Sequence, residues 1–307
     1  MPDHAAVNIL VHQGALGDWV LTWPVLRSLA ASGMPTWAVT SAGKAKLAAG
    51  GIDHVHAVDI DTPDWTALFA PAIDETRAAD HASSFEQVRN IISFVSNGDD
   101  MWAANIQALA PHANVYFVAP NPPANCAVHV TDWHREQLRA QGCAIALAVA
   151  GPIGLNLAGG SDHVVVHPGS GGIAKCWPVE RFEQLIEKLL ARDVPVQVLL
   201  GEVELEQWPI DLRRRWMNIF DVKTLTTLDA LHDELVDAGV YVGNDSGPTH
   251  LAAQLRVRTV ALFGPTAPRV WSPVGPEVHL LAPDIPCDMN WLEVDRVFEC
   301  VVRVLEQ

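Results

Sequence analysis

The sequence has few cysteines: Cys126, Cys143, Cys176, Cys287 and Cys300 are odd in number, far apart and never in a C-x-x-C spacing. That pattern suits a reducing cytosol. Long apolar runs are missing too, since no stretch reaches the length of a membrane span. The opening "MPDHAAVNILVHQG" has no basic region before its short apolar run, so no export signal is expected. Positive charge is scarce, with 20 Lys and Arg against 36 Asp and Glu and a formal net charge of -16. This excludes a general nucleic-acid binder, which needs a basic surface to displace counterions. The thirteen histidines form no recognisable ligand set, and there is no low-complexity tract or short-period repeat. A protein inside the cell, with at most peripheral membrane contact, is the expectation.

What is present is apolar. Hydrophobic residues make up 49% of the 307 and charged residues 18%, ample for well-packed cores and too apolar for disorder. The length favours two domains. Near the start "VNILVH" reads as a buried strand, followed by "QGALGD" and one helical pattern through "WVLTWPVLRSLA". Around the middle "DHVVVH" reads as another strand, followed by "PGSGGIAKCW" and a helix from Pro178 through "ERFEQLIEKLLA". Further strands are predicted at "TWAVT", "HVHAVD", "NIISFVS" and "NVYFVA", then at "VQVLL", "VYVG", "TVALFG" and "VHLLA". Strands alternating with helices imply parallel sheets covered on both faces, hence an α/β chain of two Rossmann-like, doubly wound domains. The expected domains are 1–158 and 159–307, parted within "AVAGPIGLNLAGGSD" where glycine and proline cluster. The amphipathic segment 291–306 could pack on the second domain or back on the first.

Three glycine-rich loops fall at strand carboxyl ends, where open sheets bind ligands. In "VYVGNDSGPTHLAAQL" a strand and a helix enclose Asp245, Ser246, Gly247, Pro248 and His250. The unpaired amides and dipole of that helix start favour an anion, while the plainer reading makes Asp245 or Ser246 an N-cap and His250 a partly buried helix residue. The loop "HPGSGGIAKCWP" adds glycines for close backbone approach, Ser170 and Gly171 among its candidate ligands, and Lys175 as a point charge suited to phosphate. Two phosphate-type loops in one domain suggest a diphosphate. The loop "QGALGDWV" offers no cation; Gly14 and Gly17 bracket a turn, and Asp18 is either an N-cap or a general base.

These segments resemble a known family. "GALGDWVLTWPVLRSL", "HPGSGGIAKCWPVERFEQLIEKL" and "YVGNDSGPTHLAAQLRVRTVALFGPTAPRVWSPVG" are similar to the three signature segments of glycosyltransferase family 9, the bacterial heptosyltransferases of lipopolysaccharide core assembly. The match is weak from about residue 36 to 160. The resemblance implies a GT-B fold, two Rossmann-like domains facing a cleft, with acceptor bound by the first and a nucleotide-diphospho-sugar, ADP-heptose favoured, by the second. It implies that Asp18 is the catalytic base, Lys175 the phosphate-binding lysine and Asp245 to His250 the donor loop. The ribose-binding acid falls on Glu204, with Glu202 a competitor. It also implies inversion at the anomeric carbon, no cofactor or metal, and a cytoplasmic enzyme that is at most peripheral at the inner face of the bacterial membrane.

"DID", Asp59 to Asp61, has the acidic spacing that some metal-dependent transferases use, but a lone D-x-D after a strand in the other half reads as a solvated strand end. Residues 1–150 hold seven basic residues against about twice as many acids, so a polyanionic acceptor is not expected. "VSNGDDMWAANI", residues 95–106, is either an acceptor loop or a surface turn. Besides transfer to a saccharide or glycolipid, a sugar-nucleotide epimerase or hydrolase of the same fold and a non-catalytic sugar-nucleotide-binding protein stay open.

Overall fold

Among the described residues every strand is parallel to its neighbours, and the strands fall into two separate sheets. The computed structural model describes residues 6–71, 85–146 and 161–307. The chain divides into two units, Met1–Ala150 and Gly151–Gln307. The expected boundary at 158/159 lies outside the described residues.

The first sheet holds β1 (Val7–Val11), β2 (Thr36–Thr40), β3 (Val55–Asp59), β4 (Val88–Ser93) and β5 (Asn114–Phe117) in the order β3-β2-β1-β4-β5. Its helices are α1 (Leu16–Leu21), α2 (Trp23–Ala30), α3 (Ala42–Gly51), α4 (Pro63–Thr66), α5 (Met101–Leu109) and α6 (Val130–Ala140). All five residues of β1 are buried, as a central parallel strand covered on both faces requires. The single helix expected after β1 is broken at Thr22. Pro24 has no N–H to bond backwards, and the Thr22 hydroxyl donates to the Trp19 carbonyl at 2.7 Å, closing α1 there.

The second unit runs β6 (Val164–His167), α7 (Val179–Leu190), β7 (Val196–Leu200), α8 (Glu202–Gln207), α9 (Ile210–Ile219), β8 (Asp221–Thr224), α10 (Leu228–Val236), β9 (Val240–Asn244), α11 (Gly247–Gln254), β10 (Arg258–Leu262), α12 (Pro268–Trp271), β11 (Val278–Leu281) and α13 (Val294–Leu305). Its sheet order is β11-β10-β9-β6-β7-β8. The edge strand β8 was not foreseen, because "DVKT" is mostly exposed and carries no apolar alternation.

In α7 the apolar positions Phe182, Leu185, Ile186 and Leu189 recur at helical spacing and are fully buried. They form one core with Val297, Cys300, Val301 and Val304 of α13. The terminal helix thus lies on the second unit. Each fully buried Val or Leu there contributes about 1.5–3 kcal/mol, and Val301→Asp would dismantle the contact.

Each sheet changes direction of strand order once, between β1 and β4 in the first and between β6 and β9 in the second. Ligands of such sheets bind beyond the strand carboxyl ends at that switch point. The loops after β6 and β9 are "PGSGGIAKCW" and "DSGPTH".

Candidate active site

In the second unit the switch point brings the two glycine-rich loops together. β9 pairs with β6 on one side and β10 on the other, with His167 opposite Gly243 and Leu262 opposite Asn244. Asn244, the last residue of β9, fastens the loops: its amide donates to the Pro168 carbonyl at 2.7 Å, and its side-chain oxygen accepts the Trp177 N–H at 2.9 Å. Ser170 is buried and donates to the Asp245 carbonyl at 2.8 Å. Its hydroxyl therefore ties loop to loop. Gly171 is exposed at the turn.

Asp245 is not a helix cap. It lies before the N-cap position, which Ser246 occupies without a capping hydrogen bond from its side chain. Its carboxylate is a hub: Oδ2 accepts from Lys175 Nζ at 2.9 Å and from the Thr266 hydroxyl at 2.8 Å, while His250 Nε2 lies 3.5 Å from Oδ1. Burial alone would push the Asp245 carboxyl up, but His250 and Lys175 outweigh it and hold the pKa at about 2. The Lys175 side chain keeps 36% of its exposure. An ammonium has three donors, so one engaged by Asp245 leaves others for a ligand. Gly247 opens α11 with Pro248 in its first turn, and the first amides of a helix have no intrahelical partner.

Glu204 and Glu202, the two acidic residues expected near a ribose, part company here. Glu202 is exposed, whereas Glu204 is buried in the first turn of α8. Glu204 Oε2 accepts the Gly201 N–H at 2.7 Å and lies 3.6 Å from His167 Nε2; Oε1 is buried without a partner. Burial would raise the Glu204 pKa, but His167 and the backbone N–H groups lower it below the usual value. A Cβ at position 169 would fall 1.4 Å from Glu204 Oε1. Gly169 is glycine because the carboxylate occupies that space.

In the first unit Asp18 is not an N-cap either. Ala15 holds the N-cap position of α1 and Asp18 lies in the first turn, half-buried, after Gly17. Among the described residues its carboxylate has no hydrogen-bond partner. The turn before it does receive a cation: Lys44 of α3 donates from Nζ to the Gly14 carbonyl at 2.7 Å. Reading one loop at a time missed Lys44, Thr266, His167 and the clasp by Asn244. Lys44 follows β2 and Thr266 follows β10, so only the sheet order brings them beside β1 and β9.

The acidic pair at the end of β3 behaves as a strand end: Asp59 Oδ1 accepts the Asp61 N–H at 3.1 Å. Among the described residues no group of three or more His, Cys, Asp or Glu could hold a metal ion. The segment 95–106 is built as a capped turn, with Asp100 accepting from the Ala103 N–H at 2.9 Å and the Ser96 hydroxyl at 2.8 Å. No described helix is long and apolar enough to cross a membrane.

A family model described as "Glycosyltransferase family 9 (heptosyltransferase)" matches residues 107–297. The chain is 26% identical to lipopolysaccharide heptosyltransferase 3 of Escherichia coli K12 over 182 residues, covering 56% of this chain and 51% of that protein. It is 29% identical to lipooligosaccharide heptosyltransferase 2 of Campylobacter jejuni over 144 residues, 43% of this chain and 44% of that protein. The matched segments thus span about half the length of these curated relatives or less. Among solved structures, E. coli heptosyltransferase WaaC with ADP superposes with a TM-score of 0.70 at 17% identity, covering 97% of this chain and 99% of that one. A family 9 glycosyltransferase from Veillonella parvula gives 0.72 at 16% identity, covering 99% and 98%. The E. coli glycosyltransferase TibC, described as iron-containing and dodecameric, gives 0.55 at 16% identity, covering 98% and 76%. These likenesses show the two-domain GT-B fold. The family-model match leaves out the segment that carries Asp18.

Proposed function

The chain belongs to glycosyltransferase family 9, and from that premise we propose that it moves a sugar, heptose first, from a nucleotide-diphospho-sugar to a saccharide or glycolipid acceptor. The observation that carries the reading is the pair of glycine-rich loops clasped at the switch point of the second unit, with Lys175 held on Asp245 at 2.9 Å. That assembly offers a cation and a helix start to a diphosphate. The heptosyltransferase names of the relatives favour heptose as the sugar, and the ADP bound in the WaaC structure favours ADP as its carrier.

In this mechanism Asp18 takes the proton of the acceptor hydroxyl as its oxygen attacks the anomeric carbon. The bond from that carbon to the diphosphate oxygen breaks, and the diphosphate leaves with the electron pair. Lys175 and the first amides of α11 stabilise the charge that builds on it. Attack opposite the leaving group inverts the anomeric configuration. Glu204 Oε1, buried and unpartnered, supports a role as acceptor for a ribose hydroxyl, with exposed Glu202 the competitor. Asp245 sets the Lys175 ammonium, and His250 braces Asp245. Because Lys175 and the helix amides can carry the leaving-group charge, the transfer is proposed to need no divalent metal. The reaction belongs in the cytoplasm, with at most peripheral contact at the inner face of the membrane. The free cysteines of the described structure fit that compartment.

A panel of sugar nucleotides screened by thermal unfolding tests the reading, since a ligand of the folded state raises apparent stability. ADP-heptose and ADP are expected to raise the midpoint. A panel without any stabilising nucleotide would count against it. Products formed without acceptor would favour hydrolysis or epimerisation.

A further inference from the structure

Gly14 lies at the centre of the first unit's turn, and side chains take both of its backbone polar groups. Its N–H donates to His12 Nδ1 at 3.2 Å and its carbonyl accepts from Lys44 Nζ at 2.7 Å. Burial, then Lys44 and His134, bring the His12 pKa down to about 3, so Nδ1 keeps the lone pair that the Gly14 amide uses. Lys44 is anchored at its other end as well, because its carbonyl accepts the Trp19 indole N–H at 3.0 Å. Trp19 is fully buried and directly follows Asp18. A Cβ at position 14 would come 2.7 Å from the His12 ring and 3.2 Å from the Asp18 Cβ. Gly14 therefore packs directly on Asp18, with an ammonium on its carbonyl. Burial lowers the Lys44 pKa, and the Asp18 and Asp61 charges oppose that shift.

We propose that Lys44 is a positioning residue for Asp18: its grip on the Gly14 carbonyl fixes the turn that presents the carboxylate. The inference rests on the transferase reading. A base works only within hydrogen-bond reach of the proton it takes, and a misplacement of 1 Å costs about a hundredfold in rate. The Lys44 clamp ties the loop after β1 to α3, so it fixes the turn that leads into the six-residue helix α1.

The test compares Lys44→Met and Lys44→Arg, each in the wild-type and Asp18→Asn backgrounds. ADP-heptose and dephosphorylated lipopolysaccharide core oligosaccharide serve as substrates. Lys44→Met is expected to lower kcat about 10- to 100-fold with the donor KM and ADP affinity unchanged, while Lys44→Arg, which keeps charge and donor, recovers most of the rate. In the Asp18→Asn background Lys44→Met is expected to change the residual rate less than twofold, because Lys44 acts through Asp18. A full loss there, an unchanged kcat, or equal loss in the arginine variant would overturn the proposal. Hydrogen exchange over residues 12–21 needs no substrate: losing a hydrogen bond to a charged group should speed it at least about tenfold in Lys44→Met. Wild-type protein that transfers nothing would fail the transferase reading, and exchange then decides alone: faster exchange upholds the grip on the turn and unchanged exchange overturns it.

Discussion

Removing Lys175 should do two separable things. Lys175→Ala takes away the cation proposed to face the diphosphate, and it also strips a buried carboxylate of its ion-pair partner. Asp245 keeps only 6% of its side-chain exposure, whereas Lys175 keeps 36%. Breaking a fully buried pair costs about 3–5 kcal/mol and exposed pairs are worth about 0–1. With Thr266 and His250 still on Asp245, the loss here should be about 1–2 kcal/mol. For a unit of this size that is roughly 2–8 °C in unfolding midpoint. ADP affinity should fall about 10- to 100-fold, the loss of a hydrogen bond between a charged donor and a phosphate. The two effects part in the double variant. Adding Asp245→Asn removes the orphaned charge, so stability should return while ADP binding stays weak. Thermal unfolding and calorimetric titration with ADP on the three variants provide the assay. An unchanged midpoint in Lys175→Ala would refute the ion-pair account. Restored ADP binding in the double variant would refute the contribution of Lys175 to the phosphate site.

Asp18→Asn should keep the fold and ADP affinity and lower turnover by about 10²–10⁴, since asparagine fits the first turn of α1 but takes no proton; near wild-type turnover would leave Asp18 without a catalytic role. Gly169→Ala forces a Cβ to 1.4 Å from Glu204 Oε1, so the acid or the loop must move. The expected cost is about 1–3 kcal/mol with weaker ADP binding, and an unchanged midpoint would mean the loop yields freely. Acid should find Asp245 as well. Its folded pKa of about 2 lies below the ordinary 3.8, so its stabilisation is complete above the ordinary value and is lost as pH falls through about 2. The gap is worth about 2 kcal/mol. Wild type should lose that much more than Asp245→Asn over this window, and parallel unfolding curves would contradict the linkage.

Much of the fold is written locally. "TWAVT" is β2 residue for residue, and the glycine-rich loops lie at strand carboxyl ends because strand periodicity, turn residues and helix starts are all short-range signals. What local signals miss is set by the sheet. Edge strand β8 has little apolar surface to reveal it, and Pro24 breaks a helix whose apolar pattern runs on unbroken. The cap reading of Asp18 fails, because Ala15 holds that position, and of the two cap candidates after β9 it is Ser246, not Asp245, that stands at the helix start. The first-unit turn read as lacking a cation, yet Lys44 reaches it from α3, 30 residues away. Thr266 reaches Asp245 in the same way from the loop after β10. Parallel strands set such loops side by side through crossovers, and the strand order decides which loops meet.

The central claim is that a diphosphate-linked sugar is bound in the second unit and passed to an acceptor with the leaving charge carried by Lys175 and helix amides. Initial rates of ADP release from ADP-heptose test it most directly, measured with and without dephosphorylated lipopolysaccharide core oligosaccharide, and in excess EDTA, in plain buffer and with added magnesium. The account predicts ADP release that depends on the acceptor, survives EDTA and falls in Lys175→Ala. Release that ignores the acceptor, or that EDTA abolishes and magnesium restores, would contradict it.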